Sequence, residues 1–527
     1  MEQKLVRSVV ILGGGTAGWM TAAALAKALD RKVTITVVES DEIGTVGVGE
    51  ATIPLIKHFN RHLEIDESEF MRETQGTYKL GIEFVDWGQE GERYIHGFGS
   101  IRKDVGPPGF EHLWLKMYLR GQAFDLEEYS ITRRAARAGK FMHPRPDVPE
   151  SPLADLDYAY HFDASLYARY LRRYAEKRGV RRVEGRVIDV GRHPVSGLLC
   201  NLKLASGQEV EGQFFVDCSG FGGRLIEQVL HAGYEDWSHW LPCDRAVAVP
   251  CTGTKPLLPC TRSTARTAGW QWRIPLQHRT GNGYVFCSKH LSEDEATHTL
   301  LSHLDGEVLA PPRTLRFLTG MRRKSWDRNC VAIGLSSGFL EPLESTSIHL
   351  IQTAIARVVD MFPSTEFSEE DIDEYNRQTC REFEHVRDFI ILHYMANRRR
   401  AGPLWTKCRE MPVPDSLRRR IALFQSHGRI RHEPADLFAQ MNWLQVLHGQ
   451  GTRARGYHPL VDLANAEEVA AYLEGLRSTI QRCLDAMPTH EAFLEAHCQT
   501  PTLAGPHRTS RLRVFATGAD GRGTRPG

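Results

Sequence analysis

The chain has 527 residues, which at roughly 150 residues per domain corresponds to about three folding units. With 41% hydrophobic and 25% charged residues its composition is that of an ordinary globular protein, which excludes wholesale disorder. Lys plus Arg total 66 against 65 Asp plus Glu, so no global field draws it to nucleic acid or to an acidic membrane.

The eleven cysteines run from Cys200 to Cys498 without a C-x-x-C pair. An odd, scattered set predicts reduced thiols and a cytoplasmic location rather than a disulfide framework. No run of 18 apolar residues exists, and residues 1–10 carry Lys4 and Arg7 but neither a signal-peptide core nor a cleavage site. The reading is a protein neither exported nor membrane-spanning.

In chain order, residues 6–12 form a β-branched run, Gly13-Gly14-Gly15-Thr16-Ala17-Gly18 follows, and residues 20–29 are of helical type. Residues 34–38 predict a second buried strand ending at Glu39, 21 positions after Gly18. This is a βαβ unit with G-x-G-x-x-G at its first turn. Glycine lets the backbone approach a pyrophosphate, the helix N-terminus offers free N–H groups, and the acid can take a ribose hydroxyl. Residues 144–152 are proline-rich and predict a surface loop. Residues 162–178 predict a helix, and 183–190, 198–204 and 214–216 predict strands. Gly281-Asn282-Gly283, between the runs 270–276 and 284–288, predicts a hairpin loop. Residues 330–335 predict a strand ending in Ser336-Ser337-Gly338, residues beyond Ile348 turn helical, and 501–527 predict a loose basic tail.

Asp217-Cys218-Ser219-Gly220 and residues 334–338 both follow late strands. In an open α/β sheet ligands collect at the carboxyl ends of strands, so these segments and the first glycine turn can meet on one large cofactor, which favours FAD over NAD. His58 and His62 have H-x-x-x-H spacing, but Phe59 stands where a zinc protease has glutamate, so no metal is assigned. Trp270 and Trp272 are spaced i, i+2, which on a strand puts both rings on one face. Two such faces could sandwich a flat substrate, but core packing is the usual explanation for the pair and is preferred on the residues alone.

Four ordered motifs then stand out: Gly13-Gly14-Gly15-Thr16-Ala17-Gly18-Trp19, Gly47-Val48-Gly49-Glu50-Ala51-Thr52, Gly269-Trp270-Gln271-Trp272-Arg273-Ile274-Pro275, and Pro342-Leu343-Glu344-Ser345-Thr346. Together they resemble the flavin-dependent tryptophan halogenases, over residues 6–363. The resemblance implies an α/β fold: an FAD-binding, Rossmann-like domain of the flavin monooxygenase type with a mostly helical C-terminal region. It divides the chain into a core at 1–363 that includes a substrate-facing sheet, helices at 364–500 that close the pocket, and the tail at 501–527.

In that family reduced FAD and oxygen turn halide into hypohalous acid, which travels through a tunnel to a lysine beside the substrate. The matching lysine is Lys79, which as an ammonium can polarise the oxidant or as an amine can form a haloamine. Glu344 matches the active-site glutamate, suited to stabilising positive charge on the ring and taking its proton. It also has the character of a helix-entry acid. Thr346 and Ser347 match the pair whose amides hold halide. Ser347 replaces the family's glycine there, where a positive φ would be less comfortable and bromide could be favoured over chloride. His96 and Phe98 match the family's substrate-facing histidine and phenylalanine, joined by Trp270 and Trp272. The cofactor contacts implied are Gly13, Gly15, Thr16, Ala17, Gly18, Glu39, Ser40, Val48, Ala51, Val187, Leu335 and Ile348.

No second dinucleotide fingerprint is apparent, so the resemblance implies a two-component system in which a separate flavin reductase supplies reduced FAD. The remaining partners are halide and a small aromatic substrate, without nucleic acid or membrane, and a homodimer stays open. Two other readings compete: a flavin hydroxylase, against which Lys79 and Glu344 argue, and a halogenase-like flavoprotein that only binds. Residues 431–451 contain Phe438 and Trp443 but no tyrosine, and their acids match no amino acid contact of the family. Unless Glu433, Asp436 or Arg453 makes that contact, the expected substrate is an indole ring without an amino acid handle.

Overall fold

The computed structural model describes residues 5–42, 49–102, 106, 108–253, 255–433 and 436–498. Val48 and the segment 501–527 therefore lie outside the described residues. The βαβ unit forms as its sequence dictates: strand Ser8–Leu12, helix Thr16–Leu29 and strand Thr34–Glu39. The helix buries its alanine-rich face, where small side chains let it lie close to the sheet.

That sheet has six strands in the order Trp326–Asp327, Cys330–Ala332, Phe214–Asp217, Ser8–Leu12, Thr34–Glu39 and Arg181–Glu184. Its inner pairings are parallel, with Ile11 opposite both Val37 and Val216. The carboxyl ends of three strands meet on one side. Cys218 N–H donates to Leu12 O, and Ile333 N–H donates to Asp217 O.

A second sheet of seven strands carries the tryptophan motif. Its centre is Thr280–Phe286, Gly269–Pro275, Cys260–Arg266 and Gly81–Val85, with Arg93–Gly97 at one edge. A three-stranded sheet, Gly49–Ala51, Ala159–Asp163 and Thr77–Lys79, lies beside it. Helices from Ser347–Asp360 to His490–His497 cover the rest, and one continuous hydrophobic cluster includes both Val6 and Cys498.

Four local readings need correction. The predicted strand at 330–335 ends at Ala332, because Gly334, at φ 80°, opens the turn Gly334–Ser336. Gly281-Asn282-Gly283 is not a hairpin loop but part of strand Thr280–Phe286, and the turn falls at Leu276–Arg279, closed by Leu276 N–H to Arg279 O. The glycine at 283 is required because the Trp272 ring occupies the space of its missing Cβ. Phe162 belongs to strand Ala159–Asp163, and the helix starts only at Ala164, where Asp163 accepts the N–H groups of Ser165 and Leu166. The predicted strand at 183–190 is broken at Gly185, whose φ of 155° separates Arg181–Glu184 from Val187–Arg192.

Candidate active site

The first glycine turn is shaped for a phosphate-bearing ligand. Gly13 has φ 113° and faces the Cys218 carbonyl, while a Cβ on Gly18 would run into the Gly13 carbonyl, so both are packing glycines. Gly15 differs, because a Cβ there would meet no protein atom within 4 Å. Gly15 is also the N-cap of helix Thr16–Leu29, without a side-chain cap, so the helix's first N–H groups face that open space. Thr16 and Ala17 open the helix, and Ala17 adjoins Gly334 of the turn Gly334–Ser336.

Glu39 ends its strand directly over Gly14, whose missing side chain leaves room for the carboxylate. It accepts from Trp19 Nε1 at 3.2 Å and from Arg182 Nε, with Arg172 3.5 Å away. Ser40 follows it, and Val187 begins a strand two residues after Gly185, whose N–H donates to Glu39 O. Leu335 sits in the Gly334–Ser336 turn, Ala51 on strand Gly49–Ala51, and Ile348 in the first turn of helix Ser347–Asp360. The open cradle at Gly15, the uncapped helix end and the acid at the strand terminus fit a dinucleotide such as FAD. Asp217 is structural: its carboxylate accepts from Ser219 N and Oγ and from the N–H groups of Leu225 and Ile226.

Away from this cradle lies a cavity of about 670 Å³. Its wall includes His96, Phe98, Phe110, Phe438, Ile53 and Glu344. Lys79 is fully buried with its ammonium nitrogen 5.2 Å from the centre of the Phe98 ring. Lys79 Nζ donates to Thr52 O at 2.9 Å and to Ser345 Oγ at 2.7 Å. Burial lowers the Lys79 pKa to about 7, against opposing pulls from Glu344 and Cys260.

Glu344 is equally buried. Burial would raise its pKa, but His96 and His393 overcome that and hold it at about 2. His96 Nδ1 lies 2.8 Å from Oε2, and His393 Nε2 lies 2.8 Å from Oε1. Glu344 ends the turn Pro342–Glu344, Ser345 follows in the left-handed region at φ 59°, and Thr346 caps helix Ser347–Asp360. Ser347 itself begins the helix and has no positive φ, so the left-handed residue of this segment is Ser345. The Thr346 hydroxyl is buried with no partner among the described residues, beside an uncapped helix end.

The tryptophan pair is placed differently from a substrate sandwich. Trp270 and Trp272 do share one strand face, but their rings touch each other at 6.1 Å with 57° between planes, and neither lines the cavity. Trp270 Nε1 instead donates to Glu341 Oε2 at 2.7 Å, and Trp272 lies across Gly283. His58 and His62 are exposed on helix Ile56–His62, and no metal-binding group of three or more His, Cys, Asp or Glu occurs among the described residues.

Sequence reasoning missed His393, Tyr394, Asn442 and Glu341. Tyr394 OH donates to Glu341 Oε2 at 2.6 Å, and burial raises the Glu341 pKa to about 7 despite the hydrogen bonds from Tyr394 and Trp270. The position of Glu341, three residues before Glu344, was the one signal available.

Residues 8–466 match the family model described as tryptophan halogenase. The 7-chloro-L-tryptophan 6-halogenase of Kutzneria sp. strain 744 is 38% identical over 520 residues, 92% of this chain and 98% of the relative. A tryptophan 7-halogenase of Lentzea aerocolonigenes is 34% identical over 529 residues, covering 93% and 98%. Among solved structures, a flavin-dependent halogenase from Xanthomonas campestris superposes with a TM-score of 0.91 at 49% identity, covering 94% of this chain and 99% of that one. Another from Brevundimonas sp. BAL3 gives 0.90 at 47% identity, with the same coverage. The Rossmann-like cradle and the buried lysine and glutamate thus sit in a chain that belongs to the tryptophan halogenase family and is a flavin-dependent halogenase.

Proposed function

We propose that this enzyme halogenates an indole ring that carries no amino acid handle, with Lys79 delivering the oxidant and Glu344 receiving the ring proton. The observation that carries the substrate reading is the cavity wall. The ring-facing set His96, Phe98 and Glu344 is present, but the charged residues of the 431–453 region are committed elsewhere. Glu433 pairs with Arg381 at 2.5 Å, Asp436 with Arg420 at 3.0 Å and His385 at 3.1 Å, and Arg453 donates to His448 O. None of the three lines the cavity. The cavity wall does carry Arg102, Glu111 and Asp157, but Arg102 donates to Glu150 O, Glu111 accepts from Gln440 Nε2 and Asp157 pairs with Lys57. Burying the ammonium and carboxylate of an amino acid against groups already engaged in this way is costly.

Bound reduced FAD, supplied by a separate reductase and held by the Gly13–Gly18 cradle with Glu39, provides with oxygen the oxidation of halide to hypohalous acid. The amides of Thr346 and Ser347 hold the halide at the helix end. Two hydrogens of the Lys79 ammonium are taken by Thr52 and Ser345, which leaves one for the oxygen of hypohalous acid. The ring carbon bonds to the halogen, the oxygen–halogen bond breaks, and the oxygen leaves as water with the Lys79 proton. Glu344 takes the proton from the ring carbon, which balances the one Lys79 gives up. The helical region 364–500 closes this pocket on the core at 1–363. A hydroxylase has no use for the buried lysine, which sets that reading second.

Catalytic efficiency on indole and tryptophan, compared under one flavin supply and read as halide-dependent product mass, tests the assignment. Indole is expected to be the better substrate. A clear preference for tryptophan overturns the substrate reading, and absence of halogenated product from any indole overturns the function.

A further inference from the structure

Strand Arg93–Gly97 is the last of the seven-stranded sheet, so on one side its backbone has no strand to bond. At its end Gly97 stands between His96 and Phe98, which both line the cavity. Phe98 N–H donates inward to Leu80 O at 2.8 Å, so in the antiparallel pairing the N–H and C=O of Gly97 point outward.

One side chain takes both of these groups. Gln445, on helix Gln440–Gly449, accepts the Gly97 N–H through Oε1 at 2.8 Å and donates from Nε2 to Gly97 O at 3.3 Å. A backbone N–H only donates and a carbonyl only accepts, so these partners fix which way the amide points. The amide completes the sheet edge as a further strand would. Gly97 has no slack elsewhere, because the Arg133 stem fills the space of its missing Cβ. Gln445 is buried and does not line the cavity, so it meets the substrate only through Gly97 and its neighbours.

The same helix also holds the His96 ring. Ala439 N–H donates to Asn442 Oδ1 at 2.8 Å, which turns the Asn442 amide nitrogen toward His96 Nε2 at 2.9 Å. Asn442 and Gln445 are three residues apart and share one helix face, so ring and backbone of this short stretch are gripped by one rigid element. The Phe98 ring centre lies 5.2 Å from Lys79 Nζ, and a shift at Gly97 changes how a flat ring beside Phe98 presents its carbons to that nitrogen.

We propose that Gln445 is a positioning residue: by clamping Gly97 it sets His96 and Phe98, and so determines which ring carbon meets the oxidant at Lys79. The inference rests on the roles proposed above for Lys79 and the ring-facing residues.

Two variants test it. Gln445→Met keeps the length of the side chain and removes both hydrogen bonds, whereas Gln445→Glu keeps an acceptor for the Gly97 N–H. Each is given 3-methylindole, whose 3-position is blocked, with halide, oxygen and reduced FAD, and the halogenated isomers are separated and quantified. The same indole treated with free hypohalous acid gives the distribution set by the ring alone. An isomer ratio does not depend on how much enzyme is folded, so a merely structural role leaves it unchanged. The wild-type ratio is expected to differ from that of the free acid. Gln445→Met is expected to move it toward the free-acid value by roughly fivefold or more, the size of a lost hydrogen bond, with Gln445→Glu between and FAD affinity retained. A wild-type ratio in Gln445→Met, or a wild type that already gives the free-acid ratio, overturns the proposal. A preference for tryptophan overturns only the substrate reading, and the isomers are then compared on tryptophan.

Discussion

Lys79 and Ser345 are joined by a 2.7 Å hydrogen bond between two elements far apart in sequence, a strand of the small sheet and the left-handed corner after Glu344. The corner places the serine hydroxyl under the ammonium and starts the helix that carries Thr346 and Ser347. One residue thus links the lysine to the glutamate turn.

Ser345→Ala keeps the side chain's Cβ and removes only the hydroxyl, so backbone strain at φ 59° is little changed. A hydrogen bond to a charged group contributes about 1.5–3 kcal/mol, so indole halogenation should fall roughly ten- to a hundredfold with FAD affinity retained. Product mass and FAD titration check this, and wild-type halogenation by the variant contradicts the link.

Lys79→Ala should eliminate halogenation while oxidation of reduced FAD continues, because in the proposed mechanism the lysine acts after the oxidant has formed. In the wild type, burial brings the Lys79 pKa down to about 7. If the ammonium is the working form, the halogenation rate stays high below that value and falls as pH rises through it. The measurement is product formation from pH 6 to 9 with flavin oxidation followed separately. A rate that climbs across that range assigns the work to the amine instead.

The βαβ glycine turn was legible because its pattern is local: Gly13, Gly15 and Gly18 lie in one turn, and Glu39 ends the next strand. That Lys79 and the Glu344 turn come together was legible only through motif resemblance, since nothing near Lys79 in sequence shows that Thr52, Phe98 and Ser345 surround it. His393 was not legible. It lies on a 27-residue helix with ordinary amphipathic spacing, and its partner belongs to a different element. Gly283 misled in the opposite direction, because a glycine that clears space for a tryptophan ring has the same sequence signal as one that makes a turn.

Glu341 provides a stability test. Burial raises its pKa from 4.5 to about 7, so the folded state binds its proton more tightly than the unfolded chain does. For an acid raised in this way, stability is greatest below pH 4.5 and declines as pH climbs to 7, by about 3 kcal/mol in order of magnitude. Glu341→Gln keeps an acceptor for Trp270 and Tyr394 and cannot ionise. Relative to wild type it should gain denaturant stability between pH 5 and pH 8.5. An unchanged difference at the two pH values contradicts the buried, protonated glutamate.

Gly15→Val separates cofactor binding from folding. At Gly13 and Gly18 an added Cβ strikes protein backbone, so substitutions there disturb the turn itself. Gly15 has φ −76°, which any residue adopts, and its missing side chain points into space with no protein atom within 4 Å. That space adjoins the uncapped helix end where a pyrophosphate would bind. Valine should therefore fold with wild-type thermal stability in the absence of flavin, yet lose FAD affinity by at least tenfold. Gly18→Ala should instead lower thermal stability as well, because its Cβ opposes the Gly13 carbonyl. Thermal melts without flavin and FAD titration of both variants decide the matter, and normal FAD affinity in Gly15→Val would place the pyrophosphate elsewhere.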